Sequence, residues 1–209
     1  RPGLGGNDVL RLATDGTDAQ ARVSSVNAAL ERFGQLDLAF LNAGIEGTVT
    51  PIQDYSLEVY EQVMAVNVRG VFLGLKNVIP PMKKARSGSI VITSSLAGLR
   101  GMGKVSAYVA SKHAAVGLMK SAALECASHN VRVNTINPAP IATRMIEALE
   151  SGFAPGSEAA VKEKIENAVP MRRYGQPDEV ARLALFLAGE DASFITGNSY
   201  PVDGGMSAA

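Results

Sequence analysis

Residues 89–112 read SIVITSSLAGLRGMGKVSAYVASK, and this stretch decides the fold. It begins with the apolar run Ser89–Thr93, which predicts a strand buried on both faces. Two serines follow the run, and a helix is predicted from Ser106 onward. A buried strand followed by a helix is the repeating unit of a parallel α/β sheet.

The same alternation continues on both sides of this stretch. Strands are predicted at Asn7–Ala13, Leu36–Leu41, Val131–Ile136 and Asn198–Val202. Helices are predicted between a capping box at Thr17–Gln20 and Gly34, from about Ser56 to Lys84, from Ser106 to about His129, and from Pro177 to Gly189. The chain is therefore expected to form one Rossmann-like α/β domain over residues 1–209, with a doubly wound parallel sheet and an irregular leader at residues 1–6.

Three loops follow the predicted strands at one edge of this sheet, where ligands of open α/β sheets bind. They contain Asn42–Gly44, Ser94–Ser95 and Asn137–Pro138. The segment from about Ile141 to Pro170 is rich in Glu, Ala, Gly and Lys and interrupts the alternation. It is interpreted either as a substrate lid over this edge or as a surface insertion.

The composition argues against several classes of partner. Twenty Lys and Arg balance 20 Asp and Glu, which gives no electrostatic reason to expect nucleic acid or an anionic membrane. One cysteine and two histidines exclude an intrachain disulfide and leave little for a zinc site, so no metal is expected. The longest apolar runs, such as Leu183–Ala188, are shorter than a membrane span, and Arg1–Gly3 starts no signal-peptide region. A reducing, cytoplasmic setting is the expectation.

Tyr108 and Lys112 stand four residues apart on the helix after Ser106, which places them on one face, about 5–6 Å apart at Cβ. The pair alone is weak evidence, because a surface Tyr–Lys pair has the same spacing. Ser95 strengthens it by following a buried strand at the ligand edge. Asn67 lies in the preceding long helix.

With these residues, the chain resembles a classical short-chain dehydrogenase/reductase from about Asp8 to its C-terminus. The resemblance rests on Asn42–Gly44, Asn67 in Val66–Gly70, Ser95 in Ser94–Gly98, Tyr108-x-x-x-Lys112, Asn137–Thr143, Gly175–Ala181 and Val202–Gly205. Two local departures are Leu41, where the family often has Asn, and Ala139, where it usually has Gly. The second would constrain the turn if a positive φ were needed there.

The resemblance implies an NAD(P)-dependent oxidoreductase that interconverts a secondary alcohol and a ketone. It makes Tyr108 the general acid/base, Ser95 a donor to the developing alkoxide, and Asn67 the holder of a water beside Lys112. Lys112 would lower the pKa of the phenol from about 10 toward 7, since a cation about 4 Å away supplies roughly 4 kcal/mol at an effective dielectric of about 20.

The residues implied to bind NAD or NADP are Asp15, Asn42, Ala43, Gly44, Tyr108, Lys112, Pro138, Ile141 and Thr143. For Asp15, a turn or helix-cap role is an equal alternative, and for Thr143 an N-cap role. The substrate is not defined by the sequence. Its pocket is expected to have apolar walls formed by Leu99, Met102, Met145, Ile146 and Phe153.

A third departure is larger, because the family's first strand and Gly-rich phosphate turn are absent from the sequence. Gly3–Gly6 does not replace them, since no strand precedes these glycines and no helix follows directly. We expect either that the molecule has further residues or that it is a truncated, cofactor-incompetent relative acting only through subunit contacts. A methyltransferase or flavin protein is disfavoured, because it has no use for Tyr108 and Lys112.

Seven alanines on the helix after Ser106 are either core residues or a close-packed subunit interface. They are Ala107, Ala110, Ala114, Ala115, Ala122, Ala123 and Ala127. The resemblance favours the interface, and a homo-oligomer, dimer or tetramer, is expected.

Overall fold

The computed structural model describes residues 9–208, which form a four-stranded sheet and seven α-helices. In chain order the elements are α1 (Ala19–Phe33), β1 (Leu38–Leu41), α2 (Leu57–Met64), α3 (Gly70–Ala85), β2 (Gly88–Thr93), α4 (Ser106–Cys126), β3 (Val131–Pro138), α5 (Arg144–Phe153), α6 (Glu158–Ala168), α7 (Pro177–Ala188) and β4 (Ser199–Val202). A π-helical turn, Ala65–Arg69, joins α2 to α3.

The four strands are parallel and lie in the order β1-β2-β3-β4. Side chains of β2 alternate between two apolar clusters, one on each face of the sheet. Ile90 and Ile92 pack with residues of α3 and α4, whereas Val91 packs with residues of α7. The α/β fold with helices on both faces of a parallel sheet is therefore confirmed.

The first predicted strand is wrong where the structure describes it. Residues 9–13 have no regular secondary structure, and Val9, Leu10 and Leu12 are exposed. A strand is stable only beside a partner, and no strand within residues 9–208 pairs with this run. Asn7, Asp8 and the leader at residues 1–6 lie outside the described residues.

The N-terminal cap of α1 also differs from its prediction. Asp18 is the N-cap residue, and its carboxylate accepts a hydrogen bond from the backbone N–H of Ala21 at 2.9 Å. Thr17 instead donates its hydroxyl to Asp15. The other end is as expected, because Gly34 adopts a left-handed conformation (φ 80°).

Among the described residues, one helix is long and apolar enough to cross a membrane by length and composition, the continuous helix Leu57–Ala85. The expectation that the chain has no membrane span rested on the length of unbroken apolar runs, and this helix contains polar residues that interrupt such runs. Its residues Val71, Leu75 and Val78 are buried against the sheet. The core thus accounts for part of its apolar character, since 39% of the apolar window is buried.

Candidate active site

The loop after β2 and the first turns of α4 meet closely at the carboxyl edge of the sheet. The Ser94 hydroxyl donates to the backbone oxygen of Lys112 at 3.0 Å. A Cβ on Gly98 would lie 2.8 Å from that same oxygen, so only glycine allows this approach. The contact brings the Ser95 side chain close enough to Tyr108 to affect the pKa of the phenol.

Lys112 is buried beneath the site. Its ammonium donates to the backbone oxygen of Thr93 at 3.0 Å and lies 5.5 Å from the centre of the Tyr108 ring. A Cβ on Gly44 would be 3.2 Å from Lys112 Nζ and 3.3 Å from Asn67 Oδ1. Gly44 therefore leaves room for both side chains.

Asn67 is fully buried at the π-helical turn, a local irregularity that is common at functional sites. Its amide exchanges two hydrogen bonds of 2.8 Å with the backbone of Ile45. It also donates to the Ser111 hydroxyl at 3.0 Å. Asn67 thus connects the loop after β1 to α4, beside Lys112.

Asn137, which was expected at the ligand edge but without a role of its own, holds the Ser95 backbone. Its amide donates to the Ser95 carbonyl at 2.9 Å, and its oxygen accepts from Thr135 at 2.9 Å. The Ser95 hydroxyl donates to the Pro138 carbonyl at 3.4 Å. The signal for this role in the sequence was a polar Asn at the end of a predicted buried strand.

Burial dominates the electrostatics of the site. It raises the pKa of the Tyr108 phenol, against a smaller lowering by the neighbouring Ser95 side chain. Burial also lowers the pKa of Lys112 to about 8. The expectation that the pKa of Tyr108 falls below its ordinary value is therefore wrong for this structure, because burial outweighs the contributions that lower it.

Helix α5 covers the Tyr108 hydroxyl. Met145 Sδ lies 3.9 Å from that hydroxyl, and Leu149 and Phe153 pack in the same apolar cluster with Val49. Met145 and Phe153 were expected as pocket walls, whereas Val49 and Leu149 were not. Two other expected wall residues, Leu99 and Met102, are exposed.

Asp15, Asn42 and Ala43 line one cavity of about 150 Å³ at the carboxyl end of β1. Asp15 forms a turn, accepting hydrogen bonds from the backbone and hydroxyl of Thr17, and these bonds lower its pKa. Asn42 accepts from the Thr93 hydroxyl at 2.8 Å. The cavity thus presents the polar side chains of Asp15 and Asn42 at the sheet edge where ligands of open α/β sheets bind.

The remaining candidate residues follow β3. Ile141 pairs with Gly175, and Thr143 is the N-cap residue of α5, although its hydroxyl caps nothing and contacts the Ile141 carbonyl. Ala139 does not adopt a positive φ, so its methyl group fits the turn. Within residues 9–208, no three His, Cys, Asp or Glu side chains are grouped to hold a metal.

The chain matches known proteins over nearly all of its length. The family model described as enoyl-(acyl carrier protein) reductase matches residues 3–207. Levodione reductase of Leifsonia aquatica is 38% identical over 202 residues, covering 97% of this chain and 76% of the relative. Cyclohexanol dehydrogenase of Acinetobacter sp. (strain SE19) is 40% identical over 181 residues, covering 87% and 68%. Cyclopentanol dehydrogenase of Comamonas testosteroni is 39% identical over 197 residues, covering 94% and 76%.

Solved structures agree with these relatives. The crystal structure of levodione reductase superposes with a TM-score of 0.95 at 38% identity, covering 97% of this chain and 78% of that one. NAD⁺-bound xylitol dehydrogenase gives 0.88 at 35% identity, covering 93% and 78%. ElxO with NADP bound gives 0.88 at 30% identity, covering 97% and 79%. With Ser95, Tyr108 and Lys112 gathered at one edge of a parallel sheet, these matches show that the chain is an oxidoreductase of the short-chain dehydrogenase/reductase family.

Proposed function

We propose that this protein uses NAD or NADP to interconvert a small cyclic secondary alcohol and its ketone, with Tyr108 as the general acid/base. One observation carries the proposal. The buried hydroxyl of Tyr108 lies beside Ser95 and faces Met145 of α5 at 3.9 Å, within an apolar cluster. A proton-transfer group is thus placed among apolar side chains.

The bound dinucleotide supplies the hydride acceptor or donor. Asp15, Asn42, Ala43 and Gly44 would hold it along the carboxyl edge, together with Lys112, Tyr108, Pro138, Ile141 and Thr143. Six of them lie at the carboxyl ends of β1 and β3 or in the loops that follow. Asp15 precedes α1 and lines the cavity beside Asn42 and Ala43, and Tyr108 and Lys112 are on α4. Placement at this edge is the usual one for a dinucleotide on a parallel α/β sheet.

The residues around Tyr108 divide the remaining work. The Tyr108 oxygen takes the proton of the alcohol during oxidation and returns it during reduction. Ser95 donates a hydrogen bond to the substrate oxygen as negative charge develops there. Lys112 lies beside the Tyr108 ring. When the lysine is protonated, its positive charge favours the ionised form of Tyr108.

The proposed substrate class rests on the pocket walls and on the relatives. Val49, Val105, Met145, Leu149 and Phe153 surround Tyr108 with hydrocarbon and one thioether. Such walls favour a ring of apolar carbons with a single oxygen. The names of cyclohexanol dehydrogenase and cyclopentanol dehydrogenase each describe a cyclic alcohol.

The test is an assay of reduced nicotinamide formation from cyclohexanol, cyclopentanol and a linear secondary alcohol, each with NAD and with NADP. We expect turnover with at least one cyclic alcohol and at least tenfold lower kcat/KM for the linear one, about 1.4 kcal/mol of transition-state discrimination. No turnover with any alcohol or corresponding ketone, in a protein that binds the dinucleotide, would contradict the proposal.

A further inference from the structure

Glu150 is a buried carboxylate that the proposed chemistry does not use. It is 6% exposed, lies on α5 and accepts a 2.6 Å hydrogen bond from the hydroxyl of Tyr174, which is itself 5% exposed. A buried carboxylate is costly unless it is hydrogen-bonded. The pair therefore fixes the distance between two segments of the chain.

Two sides of α5 face inward. Met145, Leu149 and Phe153 recur every four residues and pack around Tyr108. Glu150 follows Leu149 by one residue and so points about 100° away around the helix. The hydrogen bond to Tyr174 consequently holds α5 from a second direction, without touching the site.

Tyr174 is itself tied to the sheet. Its neighbour Gly175 donates to the Pro140 carbonyl at 3.0 Å, and the Gly175 carbonyl accepts from Ala142 at 2.9 Å. Pro140 and Ala142 directly continue β3. The Glu150–Tyr174 hydrogen bond thus connects the helix that covers Tyr108 to the strand end beside the candidate cofactor residues.

The surroundings keep the phenol protonated. Burial, the hydrogen bond with Glu150, and the charges of Glu150 and Glu166 raise the pKa of Tyr174. The Lys162 ammonium lies 5.7 Å from the centre of the Tyr174 ring and adds a contact from α6. Tyr174 therefore remains a hydrogen-bond donor, and Glu150 always has a partner.

We propose that Glu150 and Tyr174 are a positioning pair that holds α5 over the Tyr108 hydroxyl and thereby sets the affinity for substrate. This inference rests on the proposed function, because α5 forms one wall of the pocket proposed for the cyclic substrate. The pair does not contact the reacting atoms. Loss of the bond lets α5 move away from Tyr108, which weakens substrate binding and leaves proton transfer and dinucleotide binding in place.

The test removes only the Tyr174 hydroxyl, in the Tyr174→Phe variant of the intact protein. Because this leaves a buried carboxyl group without its donor, we expect KM for the alcohol to rise roughly tenfold, with kcat within about twofold. Amide exchange at residues 144–153 should become faster, and the dinucleotide Kd should stay the same. Glu150→Gln keeps an acceptor for Tyr174, so its KM should change less. Tyr60→Phe, which removes an exposed hydroxyl on α2, is the matched control.

A fall in kcat as large as the rise in KM would overturn the proposal. An unchanged KM together with unchanged amide exchange at residues 144–153 would also overturn it. If Tyr174→Phe does not fold, Glu150→Leu/Tyr174→Phe replaces it, since removing both polar groups leaves none unpaired. An unchanged KM in that double variant would also contradict the proposal. If the parent protein turns over no alcohol, the proposed function fails. Amide exchange in α5 of the Tyr174→Phe variant then tests the pair by itself: faster exchange supports its positioning role, and unchanged exchange contradicts it.

Discussion

Lys112 is the residue whose charge matters most at the site. Its ammonium is buried, has a pKa of about 8, and lies over the ring of a tyrosine whose pKa is raised by burial. The protonated lysine favours the phenolate, because an opposite charge beside an ionisable group stabilises its charged form.

Lys112→Met should raise the pH at which alcohol oxidation is half-maximal. Oxidation needs Tyr108 as a base, and without the neighbouring cation the phenol ionises at higher pH, by about one pH unit or more. The pH dependence of kcat/KM measures this directly. Lys120→Met changes an exposed lysine of the same helix and should leave the profile in place. An unmoved profile for Lys112→Met would contradict the pairing.

At the scale of elements, the sequence predicts those helices whose periodic apolar residues and end residues are clear. Gly34 ends α1, Pro177 begins α7, and α4 begins at Ser106, all as expected. The strand predicted at residues 7–13 fails over its described part because apolar residues alone do not make a strand. The π-helical turn at Asn67 has no periodic signal at all.

Gly98 joins two elements of the site, and Gly98→Ala should force them apart. A Cβ there would lie 2.3 Å from the Ser94 hydroxyl and 2.8 Å from the Lys112 carbonyl. We expect a loss of about 1–3 kcal/mol in the free energy of unfolding, measured with urea, and lower activity. Gly101→Ala has no atom within 4 Å of the new Cβ and serves as the control. Equal stability of the two variants would count against this packing.

The segment from about 141 to 170 contains two helices with unequal anchoring. Helix α6 has no buried residue, whereas α5 is held by its apolar side and by Glu150. Of the two helices, α6 is therefore the one with little packing to hold it in place. We expect hydrogen exchange across residues 141–170 to slow when dinucleotide and substrate bind, most clearly in α6. Equal protection with and without ligands would exclude a lid.

At the scale of the whole molecule, the alanines of α4 have two different roles. Ala107, Ala115, Ala122 and Ala123 are buried in the chain's own core, which corrects the expectation that they form an interface. Ala110, Gly117 and Leu124 are exposed, stand seven residues apart, and form one stripe of small and apolar residues.

We predict that this stripe contributes to a homo-oligomer, a dimer or a tetramer. Leu124, which is 85% exposed, should then be covered, and Leu124→Lys should lower the molar mass measured by light scattering during size-exclusion chromatography. Ile52→Lys, at another exposed apolar side chain, should not. A monomeric parent protein would exclude the assembly.

The candidate site could be predicted from sequence only in part. Ser95, Tyr108 and Lys112 were found because their spacing and their place after a strand are both visible in the chain. Two contacts depend on how α5 packs and could not be predicted. They are the contact of Met145 with the Tyr108 hydroxyl and the hydrogen bond between Glu150 and Tyr174. Glu150 and Tyr174 are 24 residues apart, and no local pattern links them.

The central claim is that the Tyr108 hydroxyl transfers the proton. The most direct measurement is the turnover of Tyr108→Phe on an alcohol that the parent oxidises, with dinucleotide affinity measured beside it. Only one oxygen is lost, so we predict that folding and dinucleotide affinity stay nearly unchanged while kcat falls by roughly 10²–10⁴-fold. Turnover within a factor of two of the parent would contradict the claim.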